Sequence, residues 1–292
     1  MSPREEEEGM ILVNVLMFVA IAAALVALMI SREELALDRA LRSREASRAM
    51  AIVRGGELSA LVALRRDGEV APDVDHVGEP WARLSESGAP IEGGSFDLAI
   101  SDAEGRFNIN AVRTGDAGST ILFQSIGEAA GLTPEQIVAA IQYVRLNGPV
   151  TDLRPLRLAG IDPKVADRLE RLATALPGRT TVNLNAASEE VLAVLFHDPV
   201  VAGRLAQVRE RQGFLTQKDL SDNNVSLPPG TSFRSNSFWV RTRATIGDTS
   251  QQAATLIQRR RTLEGRVEAY PVERWRNAAV PPGAPAFPAK TS

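Results

Sequence analysis

The stretch EEEEGMILVNVLMFVAIAAALVALMI, Glu5 to Ile30, passes from four carboxylates through one glycine into an unbroken apolar run. Met10 to Ile30 is 21 residues with no charge and a single amide, Asn14. As a helix rising ~1.5 Å per residue it crosses a hydrocarbon core of ~30 Å. A cleaved secretory signal would be shorter and end in a small-residue cleavage site. Here the run continues into SREELALDRALRSREASRAMAIV, with Leu35, Leu41, Ala49 and Ile52 at helical spacing and no Pro or Gly before Gly55. The membrane segment and a soluble amphipathic helix therefore read as one rod reaching residue 66, about 80 Å long.

A short charged leader, a Gly, and an apolar helix that becomes amphipathic together resemble the type IV prepilin and pseudopilin signature. The resemblance implies that a membrane peptidase cuts between Gly9 and Met10, removing residues 1–9, and methylates the new N-terminus. It implies that residues 10–66 remain as anchor and filament-packing helix. Family members carry Glu at the fifth mature position, where it neutralises the N-terminal amine of the neighbouring subunit; that position is Asn14 here. An amide supplies no charge to set against an ammonium in lipid. Lack of this Glu marks the K-type minor pseudopilins, which cap a filament. The leader departs from the family in being acidic. By charge alone, Arg32, Arg39, Arg42 and Arg44 beyond the helix place the large domain in the cytoplasm. The resemblance implies the periplasm, with the helix in the inner membrane.

Residues 67–94 are punctuated by Gly and Pro and read as a loop. SFDLAISDAEGRFNINAV alternates around Asp102-Ala103-Glu104-Gly105, which predicts a hairpin within a segment 67–114. The acidic run DVDHVGE from Asp73 is not an EF-hand, because the closing Glu position holds Leu84. From 115 to 230 the pattern is helical. Thr133-Pro134, Asp162-Pro163 and Asp198-Pro199 each read as an N-cap followed by Pro at the first helical position, and Ser188 caps a further helix opened by Glu189 and Glu190. FNINAV at 107 and VNLNAA at 182 are a weak internal echo. Strands return over 231–276, and Arg259-Arg260-Arg261 reads as a solvated strand edge. Residues 277–292 are Pro- and Ala-rich and read as a disordered tail.

The order of these pieces resembles type II secretion minor pseudopilin K, the general secretion pathway protein K family, across residues 9–276. The implied fold is α+β: a pseudopilin fold with a long N-terminal transmembrane helix, a small antiparallel sheet and an inserted all-α domain of SAM-like or helix-hairpin-helix-like form. The implied function is to cap the pseudopilus tip and support protein export across the outer membrane. The implied partners are minor pseudopilins I, J and H, major pseudopilin G and the prepilin peptidase. Calcium binding is a family property, but the acidic loop that serves it is missing here, and no cofactor is expected.

The competing reading is a membrane-tethered helix-hairpin-helix module that binds DNA. Such modules grip phosphate with backbone N–H groups of a Gly-hydrophobic-Gly hairpin. The candidate hairpins, Gly160-Ile161-Asp162 and Phe196-His197-Asp198, each put an Asp where the second Gly belongs. Charge agrees. The 292 residues carry 33 basic and 36 acidic side chains, and without residues 1–9 there are 32 of each. A neutral body gives no electrostatic pull on nucleic acid. Cysteine is absent and the only histidines are His76 and His197, so thiolate, disulfide and multi-His metal chemistry are excluded. No nucleophile–base set or phosphate loop is present. The role read here is assembly, not catalysis.

Overall fold

The computed structural model describes residues 3–157, 160–277 and 279–289, with side chains from Val15 onward except that of Arg157. A single helix, α1 (Pro3–Val70), carries the chain through the apolar segment and past the expected end at 66. Its second half is rich in Leu, Ala, Arg and Glu, all strong helix formers. It stops where Pro72 follows, since Pro cannot donate to the helical ladder. After a 3-10 turn at Ala82–Leu84 come β1 (Glu86–Ile91) and β2 (Gly94–Asp102), antiparallel around Glu92-Gly93.

The first hairpin therefore lies at Glu92-Gly93, not at Asp102–Gly105, and the expected loop 67–94 contains its first strand. The physical reason is local. Asp102 Oδ1 accepts from Glu104 N at 2.7 Å, which turns the chain out of the sheet. Phe107 and Asn108 then form β3 (Phe107–Asn108), which pairs elsewhere.

The whole of 103–236 is the crossover between β2 and the next strand of the sheet. A 3-10 segment (Ile109–Thr114) leads to α2 (Ala117–Ala130), α3 (Pro134–Asn147), α4 (Arg154–Arg157), α5 (Pro163–Leu172) and β4 (Ala173–Thr174). The second half holds β5 (Val182–Asn183), α6 (Glu189–Phe196), α7 (Pro199–Gln212), α8 (Gln217–Asp222) and β6 (Thr231–Ser232). Thr133, Asp162, Ser188 and Asp198 all cap their helices with side-chain oxygens, as their positions before Pro or Glu predict. Around Phe107, Phe123, Ile126, Leu169, Leu192 and Leu205 these helices share one apolar core.

The echo of FNIN in VNLN is a structural repeat. β3 pairs in parallel with β4, and β5 with β6. Asn108 and Asn183 each accept, through Oδ1, the amide two residues on (3.1 and 2.9 Å). The second Asn of each motif imitates a strand: Asn110 accepts from Val150 N at 2.9 Å and donates to Val150 O at 2.8 Å. Asn185 does the same with Leu215, at 2.6 and 3.2 Å. Between each Asn and its partner lies a helix pair joined by a left-handed residue and a capping residue before Pro: Gly131 then Thr133, and His197 then Asp198.

The chain returns to the sheet as β7 (Ser237–Ile246), β8 (Thr249–Arg261) and β9 (Val267–Arg276), in the order β1-β2-β7-β8-β9, antiparallel throughout. One face covers α1. Ala49 and Val53 meet Ala244, Ile246 and Ala253, while Ala60 and Leu64 meet Phe238, Val240 and Ile257 further along. Gly56 permits this approach, because a Cβ there would lie 2.6 Å from the Phe96 ring. The other face is covered by the Pro-rich segment expected to be disordered. Val280 and Ala284 pack on Trp239, Ala254 and Leu256. Ala278 and residues 290–292 of that segment lie outside the described residues.

Candidate functional site

Two parts of the molecule carry chemistry, the anchor half of α1 and a cluster of buried charges where α1, sheet and helical insert meet. Val15 to Ile30 shows its large apolar side chains outward, and the helix is long and apolar enough to cross a membrane. Gly9, Met10 and Asn14 all lie on this helix; their side chains are outside the described ones. Towards the other end, Leu58, Val62 and Val70 are exposed, and an open groove of about 530 Å³ lined by Val62, Ala63, Pro80 and Leu84 runs beside them.

The charge cluster centres on Arg259, buried at 6% exposure. Its guanidinium donates to Asp67 Oδ2 at 2.9 Å, Asp75 Oδ1 at 2.5 Å and the carbonyls of Ser235 and Leu64 at 2.9 and 3.3 Å. It also lies over the Phe238 ring, 5.0 Å from the centroid. The expected solvated edge at 259–261 is thus corrected at its first residue. Alternation on β8 puts Ala253, Thr255, Ile257 and Arg259 on the α1 face, so Arg259 points inward. Period 2 was the available signal; the burial comes from partners almost 200 positions away. Below it, Glu57 accepts from Arg274 Nη2 at 2.7 Å and Thr255 Oγ1 at 2.8 Å, and these hydrogen bonds lower its pKa against desolvation.

Asp67, Asp75 and Glu79 bring their carboxylates within 4.8 Å of one another. Burial, and the charge of Glu79, push Asp67 up to about 7. Burial raises Glu79 too, although His76 N and Trp81 Nε1 both donate to its Oε2 at 2.9 Å. Three acids at this spacing could hold a divalent ion such as calcium. The fit is poor, because the Arg259 guanidinium already bonds two of them and supplies the cation. Next to it, Asn183 Nδ2 donates to Asp75 O at 3.0 Å and Asp102 Oδ2 at 2.8 Å, and Ser235 Oγ donates to the same Asp102 oxygen at 2.5 Å. One repeat motif of the insert is thereby fastened to both α1's exit loop and β2. Glu104, 1% exposed, completes the joint; Ser237 and the Asn236 backbone face its carboxyl, but desolvation outweighs them and pushes its pKa up to about 8.

Beyond each of the two candidate phosphate hairpins, an Asp carboxylate already takes amides of the first helical turn. Asp162 Oδ1 accepts from Lys164 N at 2.8 Å, and Asp198 Oδ1 from Val200 N and Val201 N at 2.8 and 3.2 Å. A phosphate would have to displace a carboxylate from each helix N-terminus.

No family model matches the chain. It is 29% identical over 313 aligned residues to Type II secretion system protein K of Pseudomonas aeruginosa, covering 91% of this chain and 93% of that protein. It is 26% identical to Type II secretion system protein K of Pectobacterium carotovorum, covering 87% and 93%. Along nearly its whole length this chain resembles type II secretion protein K. The similarity to these protein K relatives includes the insert as well as the anchor. In solved structures, the fold matches a chain of the crystal structure of the GspK-GspI-GspJ complex from the enterotoxigenic Escherichia coli type 2 secretion system, with TM-score 0.60 and 17% identity. That match covers 82% of this chain and 99% of the other. The long apolar helix, small antiparallel sheet and helical insert are the pseudopilin fold that the sequence resemblance implied.

Proposed function

We propose that this chain is a minor pseudopilin of a type II secretion system that caps the pseudopilus tip and so supports protein export across the outer membrane. The observation that carries this is the similarity to protein K over nine-tenths of both chains. Its work is assembly rather than catalysis. Residues 1–9 are the leader, removed by the prepilin peptidase after Gly9, with methylation of Met10; the apolar part of α1 stays in the inner membrane and the rest of the chain lies in the periplasm. Architecture favours the tip. The insert leaves the sheet beside Leu64 and Asp67, at the end of α1 away from the membrane segment, where it would obstruct a subunit stacked above. Asn14 fits the same place, since a cap offers no carboxylate upward. Partners are pseudopilins I and J, named with the structural neighbour, together with H and the major pseudopilin G. Exposed Leu58, Val62 and Val70 and the adjoining groove give them an apolar surface.

Processing tests this reading directly. In cells containing the peptidase, mass spectrometry should find a mature N-terminus at methylated Met10, and Gly9→Val should retain the leader. An intact Met1 or Ser2 terminus on the wild-type protein overturns it. Affinity purification from the membrane should recover I and J with the processed form.

A further inference from the structure

On the outer face of the sheet, β7 presents Trp239, Arg241 and Arg243, flanked by Leu256 of β8 and Trp275 of β9. After Asn277, whose N and O bond to Gln252 at 2.9 and 2.8 Å, the chain turns back across this face. Gly283 rests on the Trp239 indole, where an added Cβ would sit 3.0 Å from Nε1. Arg241 Nη1 donates to Pro285 O at 3.2 Å, and the Phe287 ring lies under both guanidiniums, 4.5 Å from each.

The two arginines differ. Arg243 is paired with Asp97 at 2.8 Å, whereas among the described residues Arg241 bonds only neutral acceptors and its buried Nε has no partner. Desolvation and the neighbouring Arg243 lower its pKa. Such a pair is satisfied by an electron-rich ring and free backbone carbonyls. An extended Pro-rich segment offers both, and loses little conformational freedom on docking. A small residue against the Trp and an aromatic anchor between the arginines complete the selectivity.

We propose that this face is a recognition groove for an extended proline-rich peptide with an aromatic anchor, and that residues 279–289 are its resident ligand, exchangeable for such a segment presented in trans. The tether gives the resident segment an effective concentration on the order of millimolar, so a free peptide enters when the tail is absent or dislodged.

The test uses the chain in detergent and a fluorescent peptide of residues 278–289, followed by anisotropy. A variant ending at Asn277 should bind it saturably, while the full chain should bind at least roughly tenfold more weakly. Phe287→Ala in the peptide, or Arg241→Gln in the truncated chain, should each weaken binding about tenfold. A truncated chain with native circular dichroism that binds no peptide below about 1 mM overturns the proposal, as does equal binding of the Phe287→Ala peptide. Should truncation unfold the chain, full-length Gly283→Val decides the matter. Its added side chain lifts the tail from Trp239, so this variant, with native circular dichroism, should bind the peptide about tenfold more tightly than the wild type does, and equal binding by both overturns the groove.

Discussion

Glu104 keeps a carboxyl inside the joint between sheet and insert, where burial outweighs the help of Ser237 and the Asn236 backbone, and its pKa stands near 8 against 4.5 in an exposed chain. Between those values the folded protein holds a proton that the unfolded chain releases. Stability from this group is therefore fully present below the unfolded pKa and is lost as pH climbs through 8. Asp67, raised to about 7, acts in the same direction. Unfolding in urea should accordingly show a midpoint that falls between pH 5 and pH 9. Glu104→Gln, which cannot ionise, should remove several kcal/mol of that fall across the range, about 1.4 kcal/mol for each pKa unit between the folded and unfolded values. An unchanged slope in the variant would mean that Glu104 is already ionised or hydrated in the folded state. None of this was legible from the sequence. DAEG looked like a hairpin turn because alternation continues on both sides of it, and alternation carries no information on which strand becomes the partner. Arg259 sat in a run of three arginines, whose average reading is solvent. Only the carboxylates of residues 67 and 75 make its position buried and paired.

Among the elements, the helix starts were the most legible, because an N-cap is written in two adjacent residues. Thr133-Pro134, Asp162-Pro163 and Asp198-Pro199 all do what their chemistry dictates. The helix ends were less so. α2 closes on Gly131 at φ +94, while its counterpart α6 closes on His197 at φ +52, a left-handed position that a side chain occupies at a cost. In the repeat, Phe196-His197-Asp198 aligns with Gly131-Leu132-Thr133 and not with Gly160-Ile161-Asp162. The short spacing hid this, since the second Asn of each motif finds its partner 40 residues on in one half and 30 in the other. His197 is solvent-exposed at its helix end. His197→Gly should therefore stabilise the chain by about 0.5–1 kcal/mol, read as a higher urea midpoint with unchanged m-value. A loss of stability would show that His197 makes a contact worth more than its backbone strain.

For the whole molecule, the crossover 103–236 begins and ends at neighbouring points. Asp102 pairs with Phe238, and Ala103 N bonds to Ser237 O at 2.9 Å. Replacing Glu104–Asn236 with Asn-Gly, a turn suited to a two-residue connection, should leave α1 packed on a five-stranded sheet. Loss of the Ser235 contacts to Asp75, Asp102 and Arg259 should cost about 2–4 kcal/mol, without unfolding the sheet. Secretion should cease while the protein still accumulates in the membrane; continued secretion would remove the insert from the functional account. The remaining body shows what α1 is fastened to. Glu45 meets Thr249, Glu57 meets Thr255 and Asp67 meets Arg259, so α1 and β8 run in the same direction side by side. From residue 45 to 67 a helix advances about 33 Å, and from 249 to 259 a strand advances about 33 Å. A force applied along the membrane segment therefore loads all three fastenings at once, in shear, and they must fail together. Only a sideways pull could peel them one after another. The anchor is mechanically a stiff rod glued along its length, suited to deliver an axial push to whatever sits beyond the sheet.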